Sequence, residues 1–181
     1  SGKFIICGGM MMRDIKLGFN GSEKDIYAAN PLDFIYYFDI NNSNISYPDP
    51  GRSSNLIYKR ALFQSVYLYS KNPRILFTGG FESVNPDLFT DSSVIPFVPS
   101  RSVELFLVDS DIFDSIHPAG IVDAVNPVVK MNENRAGHTI TVLPDQTILL
   151  TGGFSSSSEI SNTAEVFQPY PVDKNVSLFV Y

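Results

Sequence analysis

The sequence predicts an all-β fold made of small antiparallel sheets repeated along the chain. Two observations carry that expectation. A short apolar strand stops at a double glycine three times at nearly equal intervals, in Lys3-Phe-Ile-Ile-Cys-Gly8-Gly9, Arg74-Ile-Leu-Phe-Thr-Gly79-Gly80 and Thr147-Ile-Leu-Leu-Thr-Gly152-Gly153. The 12 glycines and 12 prolines, spread along the chain, fit frequent turns better than long helices.

Each unit then reads as a four-stranded meander. Upstream of the second and third glycine pairs lies another short strand, Phe63 to Tyr69 after Arg60 and His138 to Leu143 after Arg135. The tight polar connections Ser70-Lys-Asn-Pro73 and Pro144-Asp-Gln146 join these to the Gly-Gly strands, which is hairpin chemistry. A third strand follows at Phe34 to Phe38, Ser102 to Phe106 and Thr163 to Phe167, and a weaker fourth at Asn55 to Lys59, Pro127 to Met131 and Val176 to Tyr181. Glycine suits the strand ends because it permits positive φ and close backbone approach. Repeated small sheets of this kind pack radially into a β-propeller.

Three blades are expected, at about 1–59, 60–131 and 132–181, and the first lacks the strand that should precede Ser1. Propellers have about four to eight blades, so the 181 residues read as part of a larger polypeptide. The alternatives are closure by other chains, or a permuted edge in which Val176 to Tyr181 completes the first blade.

Composition narrows the partners. With 44% hydrophobic and 18% charged residues the chain has ordinary globular content. A net charge of −6 and 13 scattered Lys and Arg argue against nucleic acid. No apolar run approaches the roughly 20 residues of a membrane-spanning helix, so membrane insertion is not expected. The single cysteine, Cys7, rules out a disulfide within these residues.

Arg135-Ala-Gly-His138, Leu143-Pro-Asp-Gln146, Ile148 to Gly153 and Asn162-Thr-Ala-Glu165-Val-Phe167 together resemble a kelch repeat of the galactose-oxidase-like style. Arg60, Gly79-Gly80, Glu104 and Phe106 follow the same pattern in the second unit, without the histidine. The first unit rests on Gly2-Lys3, Gly8-Gly9 and Phe38-Asp39. The resemblance implies a kelch-type propeller in which His138 holds a hydrogen bond inside the blade, Arg135 pairs with Glu165, and Arg60 with Glu104. It also implies an extracellular or cell-surface setting.

No catalytic or metal constellation emerges. The copper site of galactose oxidase needs two histidines and tyrosines, one crosslinked to a cysteine; here His117 and His138 stand in unrelated settings and Cys7 lies in an apolar strand. Asp109-Ser-Asp111 with Asp114 lacks the glycine and terminal glutamate of a calcium loop. No Lys-Ser/Thr follows the glycine pairs, so they are not phosphate loops.

The expected function is therefore a non-catalytic scaffold, without cofactor, that binds a protein partner. The long connections Met10 to Asp33 and Phe81 to Arg101 follow the glycine pairs on one face, where repeat proteins place binding insertions. They carry the candidate contacts Met10, Met11, Met12, Phe19, Leu88, Phe89, Ile95 and Phe97, which either dock a partner or fold back on the sheets. The alternatives are a segment of a secreted carbohydrate-active or oxidase-like enzyme, and a structural half-propeller completed by blades from a longer chain or another subunit.

Overall fold

The computed structural model describes residues 3–19, 22–46, 55–69, 73–82, 98–107, 112–115, 130–156, 159–168 and 179–180. These are all-β, with no helix. The strands run, in order, β1 (Lys3–Cys7), β2 (Met10–Phe19), β3 (Ser22–Pro31), β4 (Ile35–Asp39) and β5 (Asn44–Ser46). There follow β6 (Gln64–Leu68), β7 (Arg74–Thr78), β8 (Phe81–Glu82), β9 (Val98–Pro99), β10 (Val103–Leu107) and β11 (Ile112–Ser115). The last four are β12 (Thr139–Val142), β13 (Ile148–Thr151), β14 (Ala164–Phe167) and β15 (Phe179–Val180).

Three antiparallel sheets form the body. The first has the order β1-β4-β5, the second β11-β10-β7-β6 and the third β12-β13-β14-β15. Two small hairpins, β2-β3 and β8-β9, leave the first and second sheets directly after their glycine pairs. Among the described residues no sheet closes on itself.

The local chemistry explains the strand ends. Between β12 and β13 the Asp145 carboxylate accepts bonds from the Thr147 N–H (3.0 Å) and hydroxyl (2.6 Å), while Leu143 N–H donates to Thr147 C=O at 2.8 Å. The β4–β5 turn uses Asp39 and Asn42 in the same way, each side chain accepting a backbone N–H two residues on.

Two expectations are corrected. The fourth strands of the first two sheets are Asn44–Ser46 and Ile112–Ser115, in place of the expected Asn55 to Lys59 and Pro127 to Met131; of the latter stretch, residues 127–129 lie outside the described residues. A short turn after the third strand pairs the chain with its own neighbour at once. The 55–59 stretch is instead drawn across to the preceding sheet, where Leu56 N–H donates to Asp33 C=O at 2.9 Å. The permuted edge is also wrong, because Phe179 and Val180 pair with Val166 and Glu165 of the third sheet. β1 accordingly ends the first sheet as an edge strand, with Phe4 and Ile6 55% and 49% exposed.

The sheets pack face against face through two apolar clusters. Ile35 of the first sheet meets Leu56, Phe77 and Phe106, flanked by Ile5, Cys7, Tyr37, Phe63 and Ile75. Leu68, Leu76, Val103 and Leu105 of the second sheet meet Met131, Ile148, Leu150 and Phe167. The middle sheet is covered on both sides, so Val103 to Phe106 are buried without alternation. In β13 the pattern alternates: Ile148 and Leu150 are buried, Leu149 and Thr151 half-buried, as expected of a sheet covered on one face.

The glycine pairs sit where adjacent sheets come closest. A Cβ on Gly79 (φ +59°) would lie 2.2 Å from the Arg135 carbonyl oxygen, and one on Gly8 2.8 Å from that of Arg60. A Cβ on Gly9 (φ +97°) would meet nothing within 4 Å, since among the described residues no strand lies beyond β1. Gly79→Ala is thus expected to lower the unfolding free energy by roughly 2–4 kcal/mol, and Gly9→Ala by only about 1–2 kcal/mol of backbone strain. Urea denaturation of the two variants checks the difference; equal losses would refute the close-approach explanation.

Candidate functional site

Among the described residues the buried charges lie at the sheet junctions. At each junction an apolar residue, three intervening residues and an arginine lead into the next sheet: Leu56 to Arg60, and Met131 to Arg135. The arginine backbone bonds to the sheet before it. Gly9 N–H donates to Arg60 C=O (3.1 Å) and Gly80 N–H to Arg135 C=O (2.8 Å); Arg60 N–H donates to Leu32 C=O (3.1 Å) and Arg135 N–H to Ser100 C=O (2.9 Å).

The arginine side chain turns the other way, into its own sheet. Arg60 Nη1 donates to Gly79 C=O at 2.7 Å, and Nη2 lies 2.9 Å from Glu104 Oε1 and 3.0 Å from Ser102 Oγ. Arg135 Nη1 donates to Gly152 C=O at 2.7 Å, and Nε to Glu165 Oε1 at 2.8 Å. Each glutamate uses its second oxygen on the lead segment, Glu104 from Ile57 N–H and Glu165 from Asn132 N–H, both at 2.7 Å. All four side chains are buried. Burial pushes the Glu104 carboxyl above its usual range and holds the Arg60 guanidinium below its own, so the pair works against a desolvation cost.

A second carboxylate caps each arginine cluster from a different part of the chain. Glu82, next to Gly79-Gly80, accepts from the Ser100 and Ser102 hydroxyls. Glu133, from the lead segment, accepts from Ser161 (2.8 Å) and Thr163 (2.7 Å), and these bonds pull its carboxyl below the ordinary range. The sequence patterns did not reveal these caps, because the two glutamates share no common position in their units.

His138 and Phe63 occupy matching positions, with ring edges against Gly79 and Gly8. His138 Nε2 lies 2.8 Å from Thr78 Oγ1 of the neighbouring sheet, while Nδ1 has no partner among the described residues. The hydrogen bond is therefore between sheets, not inside one as the resemblance implied. The residue before each of these glycines matches the ring that faces it: Cys7 where the ring is Phe63, Thr78 where it is His138. Burial, with Arg135 and Arg60 nearby, lowers the histidine pKa to about 4, so the ring is neutral. Burial also pushes the Cys7 thiol up to about 12, which keeps it out of thiolate chemistry. Among the described residues no group of three His, Cys, Asp or Glu could hold a metal ion.

The candidate partner contacts lie in the stretches that follow the glycine pairs. In each sheet the residue after Gly-Gly pairs back at once: Met10 with Pro31, Phe81 with Pro99, and Phe154 with Ile160. Phe81 and Phe154 are adjacent, with ring centroids 6.3 Å apart. Met10 is 40% exposed and Met11 half-buried; Met12 and Phe19 occupy backbone positions of β2. Leu88, Phe89, Ile95 and Phe97 lie outside the described residues, as do His117, Asp109 and Asp111.

The stretch expected as a long connection, Met10 to Asp33, is for most of its length a regular hairpin with ten residues in each strand. Its final pair, Phe19 with Ser22, leaves Asn20 and Gly21 between the strands. Asn-Gly between two runs of strand-forming residues is a strong hairpin signal, and it was available in the sequence.

Two outcomes follow. Glu104→Gln, which leaves Arg60 buried without its counter-charge, is expected to lose about 3–5 kcal/mol, against less than about 1 kcal/mol for Glu133→Gln, since Glu133 is itself 40% exposed and Arg135 keeps its buried partner Glu165. Chemical denaturation of both reads the contrast. The histidine sets a pH dependence whose sign comes from its lowered pKa. Its contribution is complete above 6.5, the ordinary histidine value, and is lost as pH falls towards about 4, because the unfolded chain takes up the proton first. The loss is roughly 3 kcal/mol, and His138→Phe should abolish that part of the slope. An unchanged slope in the variant would assign it elsewhere. No protein-family model and no curated protein sequence matches this chain.

Proposed function

We propose that the chain is a segment of a kelch-type β-propeller and acts as a non-catalytic scaffold, docking a protein partner through the hairpins beyond its glycine pairs. The observation that carries this reading is the common origin of the three hairpin bases. Met10, Phe81 and Phe154 each follow Gly-Gly and leave the sheets at the same end, while the lengths of chain beyond them differ. The frame is constant and the projections vary, which is how a repeat scaffold separates stability from recognition.

The charged groups support the same reading. Arg60, Arg135, Glu104, Glu165 and His138 are each engaged in holding one sheet to the next or to its own strands.

The hairpins can be shortened without touching the frame. Glu82 and Val98 are cross-strand partners, so a four-residue turn can replace residues 83–97; Met12 and Ala29 are partners too, so Asn-Gly can replace residues 13–28. Both variants are expected to keep the parent's urea midpoint, with a change in stability within about 1 kcal/mol. At least one should lose tenfold or more in recovery of the bound protein from native extract. Undiminished recovery by both would refute the proposal.

A further inference from the structure

We infer that the outer face of the third sheet is a docking site for a further four-stranded sheet led by an apolar residue, three intervening residues and Arg-Ala. This rests on the propeller reading above and names what one surface of the segment must meet.

The two junctions inside the chain use the same three backbone groups of the preceding sheet. The second glycine of the pair donates its N–H: Gly9 to Arg60, and Gly80 to Arg135. Two carbonyls accept from the lead segment: Leu32 and Asp33 from Arg60 and Leu56, Ser100 and Arg101 from Arg135 and Met131. In the third sheet the matching groups are Gly153 N–H and the carbonyls of Ser161 and Asn162. Gly152 N–H donates to Thr163 C=O and Ser161 N–H to Gly153 C=O, as their counterparts do, so the third sheet is built to the same pattern. Among the described residues, however, Gly153 N–H and the Ser161 and Asn162 carbonyls have no partner.

The side chains agree. Leu76 and Leu105 of the second sheet are buried under the third. Leu149 and Val166, which hold those positions in the third sheet and pair with each other, are half-buried. Phe81, beside Phe154, is 9% exposed, while Phe154 is 42% exposed. Room is kept as well: a Cβ on Gly152 would meet only the Ser161 carbonyl oxygen, at 3.8 Å, where Gly8 and Gly79 are closed by the next arginine carbonyl.

A second copy of this chain is the wrong occupant. Its first sheet offers the apolar residues Phe4 and Ile6, but both Arg-Ala segments, at Arg60 and Arg135, are already docked internally. It would cover Gly153, Ser161 and Asn162 without bonding them, and buried backbone groups require partners.

Amide hydrogen exchange tests the assignment. In the 181-residue chain, Gly153 N–H is expected to exchange at least 100-fold faster than Gly9 and Gly80. Extending the full chain at its C-terminus with a copy of residues 47–115, which brings the natural connection and the second sheet, should slow Gly153 to within tenfold of those two. Gly152→Val in the extended chain should restore the fast rate. If the added sheet does not fold, a synthetic peptide of residues 130–143, titrated to millimolar concentration, should shift the Gly153 and Ser161 resonances, and the Arg135→Pro peptide should not. A fast Gly153 beside a folded extension, or no shift with the peptide, overturns the inference. So does a concentration-dependent dimer of the unextended chain that protects Gly153. Gly9 and Gly80 separate the layers of the argument: if they too exchange fast, the propeller reading beneath the inference has failed.

Discussion

An arginine that faces two ways holds the structure together. Its backbone is stitched to the sheet before it, and its guanidinium is buried in the sheet to which it leads, against a glutamate and a glycine carbonyl. Neither half suffices alone. A backbone bond at a surface adds little, and a buried cation without its carboxylate is strongly destabilising. Together they fix both the spacing and the order of the sheets. The remaining features of the junction follow from that contact: the glycines exist to admit the arginine carbonyl, and the ring at Phe63 or His138 closes over them.

The same constraint accounts for where variation is allowed. At the junctions Cys7 accompanies the apolar ring of Phe63, and Thr78, whose hydroxyl lies 2.8 Å from the ring nitrogen, accompanies His138. Beyond the hairpin bases the described strands differ in length from sheet to sheet. The first hairpin grows to ten residues per strand, while the third sheet keeps only the bridge of Phe154 to Ile160.

Much of the frame was legible in the sequence because short-range chemistry carries it. The Gly-Gly strand ends and the Pro144-Asp145 turn are local signals, and the pairing of β12 with β13 follows from a short connection. The fourth strands of the first two sheets were misplaced because residues 55–59 have the apolar content of a strand yet are claimed by the preceding sheet. Met10 to Asp33 reads as a long connection, although Asn20-Gly21 between strand-forming runs is a hairpin signal in the sequence. The caps at Glu82 and Glu133 had no signal at all, since carboxylates from unrelated positions reach equivalent pairs of hydroxyls.

The sequence by itself determined an all-β chain with three related sheets, the turns between neighbouring strands, and arginines and glutamates at matched positions. Only the tertiary structure decided what those charges do: each arginine belongs to one sheet by its side chain and to the previous one by its backbone. It also decided that the middle sheet is covered on both faces and the third on one, leaving Gly153 without a partner among the described residues. The reason is physical. Hydrogen bonds within a hairpin join residues close in the chain, whereas the junction joins groups tens of residues apart, whose meeting depends on how whole sheets stack.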